Sequence, residues 1–193
     1  MNDTKKMEKT ININCVIGID PGANGGIAVF IPGDHPKVVK MPKDVTELAD
    51  FLQYYAATYK PIVFLEKLSV RPDDVEIMPD GKPNMGKMYR IQKLMGNYEH
   101  LKAIIETSGI PYVMVHPMRW MNTLKLRVKG LKEEKAERKR RYAEKAAQLY
   151  PTVKITLWNS DAILIMHFGR YMLANEIKWV MANLPQKEQY KLF

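Results

Sequence analysis

The chain has 193 residues, 46% hydrophobic and 26% charged, with 30 lysines and arginines against 21 acids for a formal net charge of +9. That composition excludes a disordered or fibrous chain and fits one soluble domain over residues 1–193 with a good core. No stretch approaches the roughly 20 apolar residues of a membrane helix, and no apolar run suited to a signal peptide follows the charged opening, which excludes a membrane-spanning reading and implies a cytoplasmic protein. The single cysteine, Cys15, excludes an internal disulfide or a cysteine-rich zinc site, and its strand setting reads as a buried, inert thiol.

Residues 1–10 read as a flexible N-terminus. Ile11 to Ile19 predicts a first strand, delivering Asp20 at its end, and Pro21 to Gly25 turns the chain tightly into a second strand, Gly26 to Ile31. Two readings of Asp20 stand at this point. It is a turn aspartate before Pro-Gly, or a metal ligand whose neighbours Gly22, Gly25 and Gly26 let a phosphate approach the backbone closely. After a turn at Pro32 to Asp34, Lys37 to Met41 predicts a short third strand. Asp44 with Glu47 fits a capping box, and Val45, Leu48, Ala49, Leu52 and Ala56 recur at helical spacing, so a first helix is expected over Val45 to Tyr59. Ile62 to Leu65 is a short apolar run behind a proline, a strand buried on both faces and reached by a crossover. It too ends in a carboxylate, Glu66.

Lys67 to Gly86 holds three prolines and two glycines without apolar periodicity, an exposed loop of a length that favours function or disorder. A helix follows over Lys87 to Ser108, its Met88, Ile91, Met95, Tyr98, Leu101 and Ile105 along one side, the methionines reading as core or interface filler. Tyr112 to Val115 is a further buried strand, with His116 at its end carrying no assigned role. Met118 to Leu124 reads as a short helical turn offering Arg119 and Trp120 to the surface. Lys125 to Lys132 is a basic loop, and Glu133 to Tyr150 a polar helix with a thin stripe of Ala136, Ala143, Ala147 and Tyr150. The last helix is expected from an Asn159 N-cap to about Asn183, with Asp161 in its first turn before the apolar run Ala162 to Met166. Asp161 there either complements the helix dipole or stands at the mouth of a cleft.

The pattern β-β-β-α-β-α-β-α-α defines an α/β protein with a mixed sheet, three antiparallel strands followed by parallel ones, and helices on both faces. In such sheets sites form outside the strand ends where strand order switches, so Asp20 and Glu66 are expected as neighbours with Asp161 covering them. Converging carboxylates need a cation, and oxygen-only ligands select Mg²⁺ or Mn²⁺. Ten basic residues lie between Lys125 and Lys145 against four glutamates, so six of the nine surplus positive charges fall there. Lys125, Arg127, Lys129, Lys132, Lys135, Arg138, Lys139 and Arg141, with Arg71 from the long loop, are the candidate phosphate contacts. A solvated helix face is the plain alternative for these charges. Acids and cations together indicate metal-assisted hydrolysis of a phosphodiester.

These residues resemble the RuvC-type Holliday-junction resolvases of the RNase H-like superfamily, through Gly18-Ile19-Asp20-Pro21-Gly22, the apolar strand ending in Glu66, the helix opening Gly86-Lys87 and Asp161-Ala162-Ile163-Leu164. The likeness covers roughly residues 14 to 175, and the compact size and divergent loops look similar to phage-encoded members, which would place the protein in a host cytoplasm. The resemblance implies an RNase H-like fold and a homodimer that binds four-way DNA junctions and nicks them in pairs with Mg²⁺, for which Mn²⁺ substitutes. By position Asp20, Glu66 and Asp161 match the family's acids, as metal ligands and catalytic residues. The family usually carries a fourth ligand one helical turn before the last aspartate, where this chain has Trp158; the expectation is that three acids suffice. Three other functions compete: an RNase H-like nuclease for other branched nucleic acids, an ASKHA-type phosphotransferase, against which the lack of a second strand-Asp-turn hairpin argues, and a DNA-binding module without catalysis.

Overall fold

The computed structural model describes residues 13–185 except 23, 72–73 and 128–133. Among these residues five strands, β1 (Cys15–Asp20), β2 (Gly26–Phe30), β3 (Lys37–Lys40), β4 (Pro61–Glu66) and β5 (Tyr112–Val115), form one sheet in the order β3-β2-β1-β4-β5. β2 is antiparallel to both β1 and β3, whereas β4 is parallel to both β1 and β5. The chain therefore builds outward on one side of β1, then crosses to its other side. β1 and β4 flank the point where strand order switches, the place such sheets put their sites.

β1 starts later than the apolar run suggests. Asn14 lies outside the ladder and is tied to the residue before β4, its N–H donating to the Lys60 carbonyl at 3.3 Å and its side-chain oxygen accepting from the Lys60 N–H at 2.7 Å. At its other end β1 extends through Asp20, which pairs opposite Gly26.

Among the described residues six helices cover the sheet: α1 (Val45–Thr58), α2 (Met85–Thr107), α3 (Pro117–Thr123), α4 (Lys135–Leu149), α5 (Ser160–Asn175) and α6 (Ile177–Ala182). Asp44 caps α1 as its spacing predicts, accepting from the N–H groups of Thr46 and Glu47 at 2.7 and 3.2 Å. α2 begins two residues before the expected Lys87, because Asn84 takes the cap and accepts from the Lys87 N–H. The loop before it is not wholly irregular: Ile77 and Pro83 form an isolated bridge, and Met78 donates to the Lys82 carbonyl.

Successive strand residues point to opposite faces, and the core divides accordingly. Ile17, Ile19, Val63 and Leu65 pack with Leu48, Leu52, Tyr98, Leu101 and Ile105 of α1 and α2. Val16, Ile62 and Phe64 pack with Ala162, Ile163, Ile165, Met166 and Phe168 of α5. Phe64 is fully buried and meets Phe168 edge to face at 6.1 Å; burial of such a ring contributes about 2 kcal/mol. By the same alternation Asp20 and Glu66, in phase with Val16 and Phe64, belong to the face that α5 covers.

Four expectations are corrected here. Trp120 is fully buried and stacks edge-on against Tyr142 at 5.5 Å, while Arg119 alone reaches the surface, paired with Glu176 at 2.9 Å. The buried stripe of α4 is Tyr142 and Ala146, followed by Tyr150, since the tyrosine ring covers more apolar area than the alanines at 136, 143 and 147. Asn159 stands at the N-cap of α5 but makes no cap bond; its amide stitches the preceding loop instead, bonding the Thr156 N–H and the Lys154 carbonyl. The final helix breaks at Glu176, whose φ of −135° leaves the helical region, so α6 turns Trp179 against Phe168 at 6.0 Å.

Candidate functional site

The position of α5 against the sheet decides how its first turn meets the strand ends. A Cβ on Gly18 would lie 2.2 Å from the Met166 nitrogen and 2.5 Å from the Ala162 carbonyl oxygen, and one on Gly169 would lie 2.4 Å from the Phe64 ring. Helix backbone thus rests directly on strand backbone, closer than any side chain allows. Asp161, in the first turn of α5 and 7% exposed, is held over the ends of β1 and β4.

Asp20 sits at the last position of β1, its Oδ1 accepting from the Gly22 N–H at 3.2 Å. A Cβ on Gly25 would clash with Asp20 itself, and one on Gly26 would come within 2.9 Å of the Trp158 ring. The space at these two glycines is therefore filled by the protein's own atoms; at Gly22 the nearest neighbour of such a Cβ would be the Asp20 carboxylate at 3.5 Å. Trp158 occupies the space over Gly26, the residue paired with Asp20 across the hairpin.

Glu66 ends β4 on the neighbouring parallel strand, and its Oε1 accepts from the Trp120 indole N–H at 3.0 Å. Burial, reinforced by the Asp20 charge, pushes its carboxyl up to about 7, against a smaller downward pull from Trp120. Burial also raises Asp20, with Asp161 adding to the rise and the Gly22 bond and Lys139 opposing it. Asp161 bonds the Ser160 hydroxyl through Oδ1 at 3.1 Å and the Lys139 ammonium through Oδ2 at 2.5 Å. Lys139 comes from α4 and acts electrostatically on Asp20 and Glu66 as well.

The fold thus brings together the three predicted acids and one of the predicted cations. Among the described residues no three His, Cys, Asp or Glu side chains stand at metal-ligand spacing; Asp161 is engaged by Lys139. The donor chemistry is nonetheless that of a hard divalent ion: carboxylates alone, two of them raised by burial and mutual repulsion, with an ammonium drawn in among them. Oxygen ligands of this kind suit Mg²⁺ or Mn²⁺.

The other predicted cations separate into groups. Arg71, Arg127, Arg138 and Arg141 line one cavity of about 310 Å³, together with His116 and Tyr142. Lys125 is exposed on a left-handed backbone with φ of 55°, ending α3 in a Schellman motif in which its N–H bonds Asn122 and that of Leu126 bonds Met121. Lys135 and Arg140 are exposed on α4. Lys129 and Lys132 lie outside the described residues.

Two participants carry no sequence signal. Trp120 is one aromatic among many until the fold lays its N–H against Glu66. His116 gains its place by capping α3, where its Nδ1 accepts from the Met118 N–H at 3.3 Å. Cys15 behaves as expected: it is buried, and burial pushes its thiol up to about 12.

Sheet order, strand sense and the helix across the switch point define the α/β fold of the RuvC and RNase H-like proteins. Among solved structures, the chain is similar to Thermus thermophilus RuvC in complex with a Holliday junction substrate, with TM-score 0.53 and 15% identity over 88% of this chain and 97% of that one. It is equally similar to a second Thermus thermophilus RuvC structure, with TM-score 0.53 and 16% identity over 88% and 98% of the two chains. No protein-family model and no curated protein matches the sequence. Among the described residues no helix is long and apolar enough to cross a membrane.

Proposed function

We propose that the chain is a metal-dependent endodeoxyribonuclease that resolves four-way DNA junctions by paired phosphodiester hydrolysis. The observation that carries this reading is the meeting of Asp20, Glu66 and Asp161 with Lys139 at the ends of the two central parallel strands. The likeness to a RuvC structure holding Holliday junction DNA supports the choice of substrate. Asp20, Glu66 and Asp161 would hold Mg²⁺, for which Mn²⁺ substitutes, and bound there the ion would activate water and neutralise charge building on the phosphate. Trp120 fixes the Glu66 carboxylate by its hydrogen bond, and Ser160 orients Asp161. Lys139 balances the negative charge of the site and is placed to meet a phosphate oxygen when Asp161 is otherwise engaged.

The resemblance further implies a homodimer. The first turns of α2 expose Met85, Met88 and Tyr89, beside Ile77 and Met78 of the preceding loop, an apolar surface suited to a second copy.

The test is cleavage of a synthetic four-way junction and of linear duplex of the same sequence, with Mg²⁺ or with EDTA. Junction cutting that needs Mg²⁺ and is lost in Asp20→Asn and Asp161→Asn proteins that still bind supports the reading. Equal cutting of both substrates would replace it with a general nuclease, and undiminished cutting by Asp20→Asn would remove the site. Sedimentation at micromolar concentration tests the dimer.

A further inference from the structure

Hydrogen bonds within the site divide its carboxylate oxygens into two sets. Asp161 has both oxygens engaged, Oδ1 by the Ser160 hydroxyl at 3.1 Å and Oδ2 by the Lys139 ammonium at 2.5 Å. Asp20 uses only Oδ1, which accepts from the Gly22 N–H, and Glu66 only Oε1, which accepts from the Trp120 N–H. Among the described residues no donor reaches Asp20 Oδ2 or Glu66 Oε2. These two open oxygens belong to the ends of β1 and β4, adjacent parallel strands.

Mg²⁺ is held by one or two carboxylates together with water and substrate phosphate, so two open oxygens suit one ion. A pair of ions would stand about 3.5 to 4 Å apart, and a cation is already seated among the acids. Lys139 bonds Asp161, and its charge acts on Asp20 and Glu66 as well. The Lys139 and Asp161 side chains are only 29% and 10% exposed, so salt screens their attraction little. Charge points the same way. Three ionised carboxylates and one ammonium leave two negative charges, which a single divalent ion cancels; a second ion would leave the cluster as positive as it began negative. Beside Asp20 the ring of Trp158 fills the space over Gly26, and an indole offers an N–H donor but no oxygen to a metal.

We propose, resting on the metal-dependent reading above and narrowing it, that the site takes a single divalent ion and that Lys139, anchored on Asp161, is its built-in second cation. Asp20 Oδ2 and Glu66 Oε2 are the oxygens open to the ion, and Asp161 can still face it through a second lone pair. Whether it bonds Asp161 or a phosphate oxygen, the Lys139 ammonium supplies the positive charge that a second ion would bring.

The test counts Mn²⁺ bound to the full chain without DNA, by electron paramagnetic resonance of free and bound ion with calorimetric titration beside it, so that cutting plays no part. Wild type should bind one Mn²⁺ per chain and show the spectrum of an isolated ion, whereas a pair about 3.5 to 4 Å apart would couple its spins and broaden the lines. Lys139→Gln, which removes the ammonium, should bind two. Lys139→Arg keeps a cation at the position, and Arg140→Gln removes an equal charge from an exposed position of the same helix; each should bind one. Should circular dichroism show Lys139→Gln unfolded, Lys139→Met takes its place with the same expected count. Two ions in wild type, no gain in the neutral variant, or a second ion in Lys139→Arg or Arg140→Gln would overturn the proposal and leave the metal-dependent reading standing. No bound ion in any of the proteins would overturn both.

Discussion

Glu66→Gln is expected to abolish metal-dependent cleavage and at the same time to stabilise the protein at alkaline pH. Glu66 titrates at about 7 in the folded chain against an ordinary 4.5, chiefly because it is buried. Between those two values the folded chain holds a proton that the unfolded chain has released, so stability is greatest at low pH and falls as pH rises through about 7. A shift of that size corresponds to about 3 kcal/mol once the group is fully ionised. Glutamine has the same shape, keeps an oxygen to accept from the Trp120 N–H, and carries no charge to desolvate. The substitution also removes the charge that the neighbouring Asp20 carboxylate repels. In EDTA, urea unfolding should find Glu66→Gln about 2–3 kcal/mol more stable than wild type at pH 8 and within about 0.5 kcal/mol at pH 4.5. At pH 8 the gain corresponds to a Tm increase of about 5–10 °C for a chain of this size. Saturating Mg²⁺ should stabilise wild type by mass action and leave the variant unchanged. A variant no more stable than wild type at pH 8, or a difference independent of pH, would refute the view that this carboxylate is held in the site against its own desolvation.

Gly18→Ala, which touches no charged group, should cost more than about 3 kcal/mol in the same unfolding assay or unfold the chain, because the new methyl meets the Met166 and Ala162 backbone. Lys125→Gly should stabilise by about 0.5–1 kcal/mol by relieving the left-handed backbone at that position, while weakening DNA binding measured in parallel. Trp120→Phe removes the bond that pulls Glu66 downward, so the pH profile of Mg²⁺-dependent cleavage should move to higher pH; an unmoved profile would separate Trp120 from the site.

Much of this architecture was legible because its signals are local. The Asp44 cap, the apolar run of β4 and the glycine-rich hairpin each name their element within a few residues. The three acids were legible by a different route: each ends or begins an element, and only a few sheet orders bring such ends together. Trp120 was misplaced on the surface because its seven-residue helix has no periodicity from which to read a buried side. The Lys139–Asp161 pair was hidden for a related reason: a lysine among ten cations gives no hint of which one faces a carboxylate 22 residues away. Clustering of Arg71 with three arginines from beyond β5 depends on the packing of α3 and α4 over the sheet, and no spacing in the sequence encodes it. The break at Glu176 likewise answers to tertiary contacts, Arg119 against Glu176 and Phe168 against Trp179, inside a stretch whose own composition favours a continuous helix.

At Gly18 the contact of α5 with β1 is made by main-chain atoms, and main chain has no rotamers. Where two elements meet through side chains, each substitution shifts them by a fraction of an ångström as the layer repacks. At Gly18 no such layer exists, so the gauge between Asp161 and Asp20 is independent of which apolar residues fill the surrounding core. That arrangement separates two kinds of inheritance: the identities of the core residues are free to drift, while the spacing of the carboxylates is carried by a missing side chain.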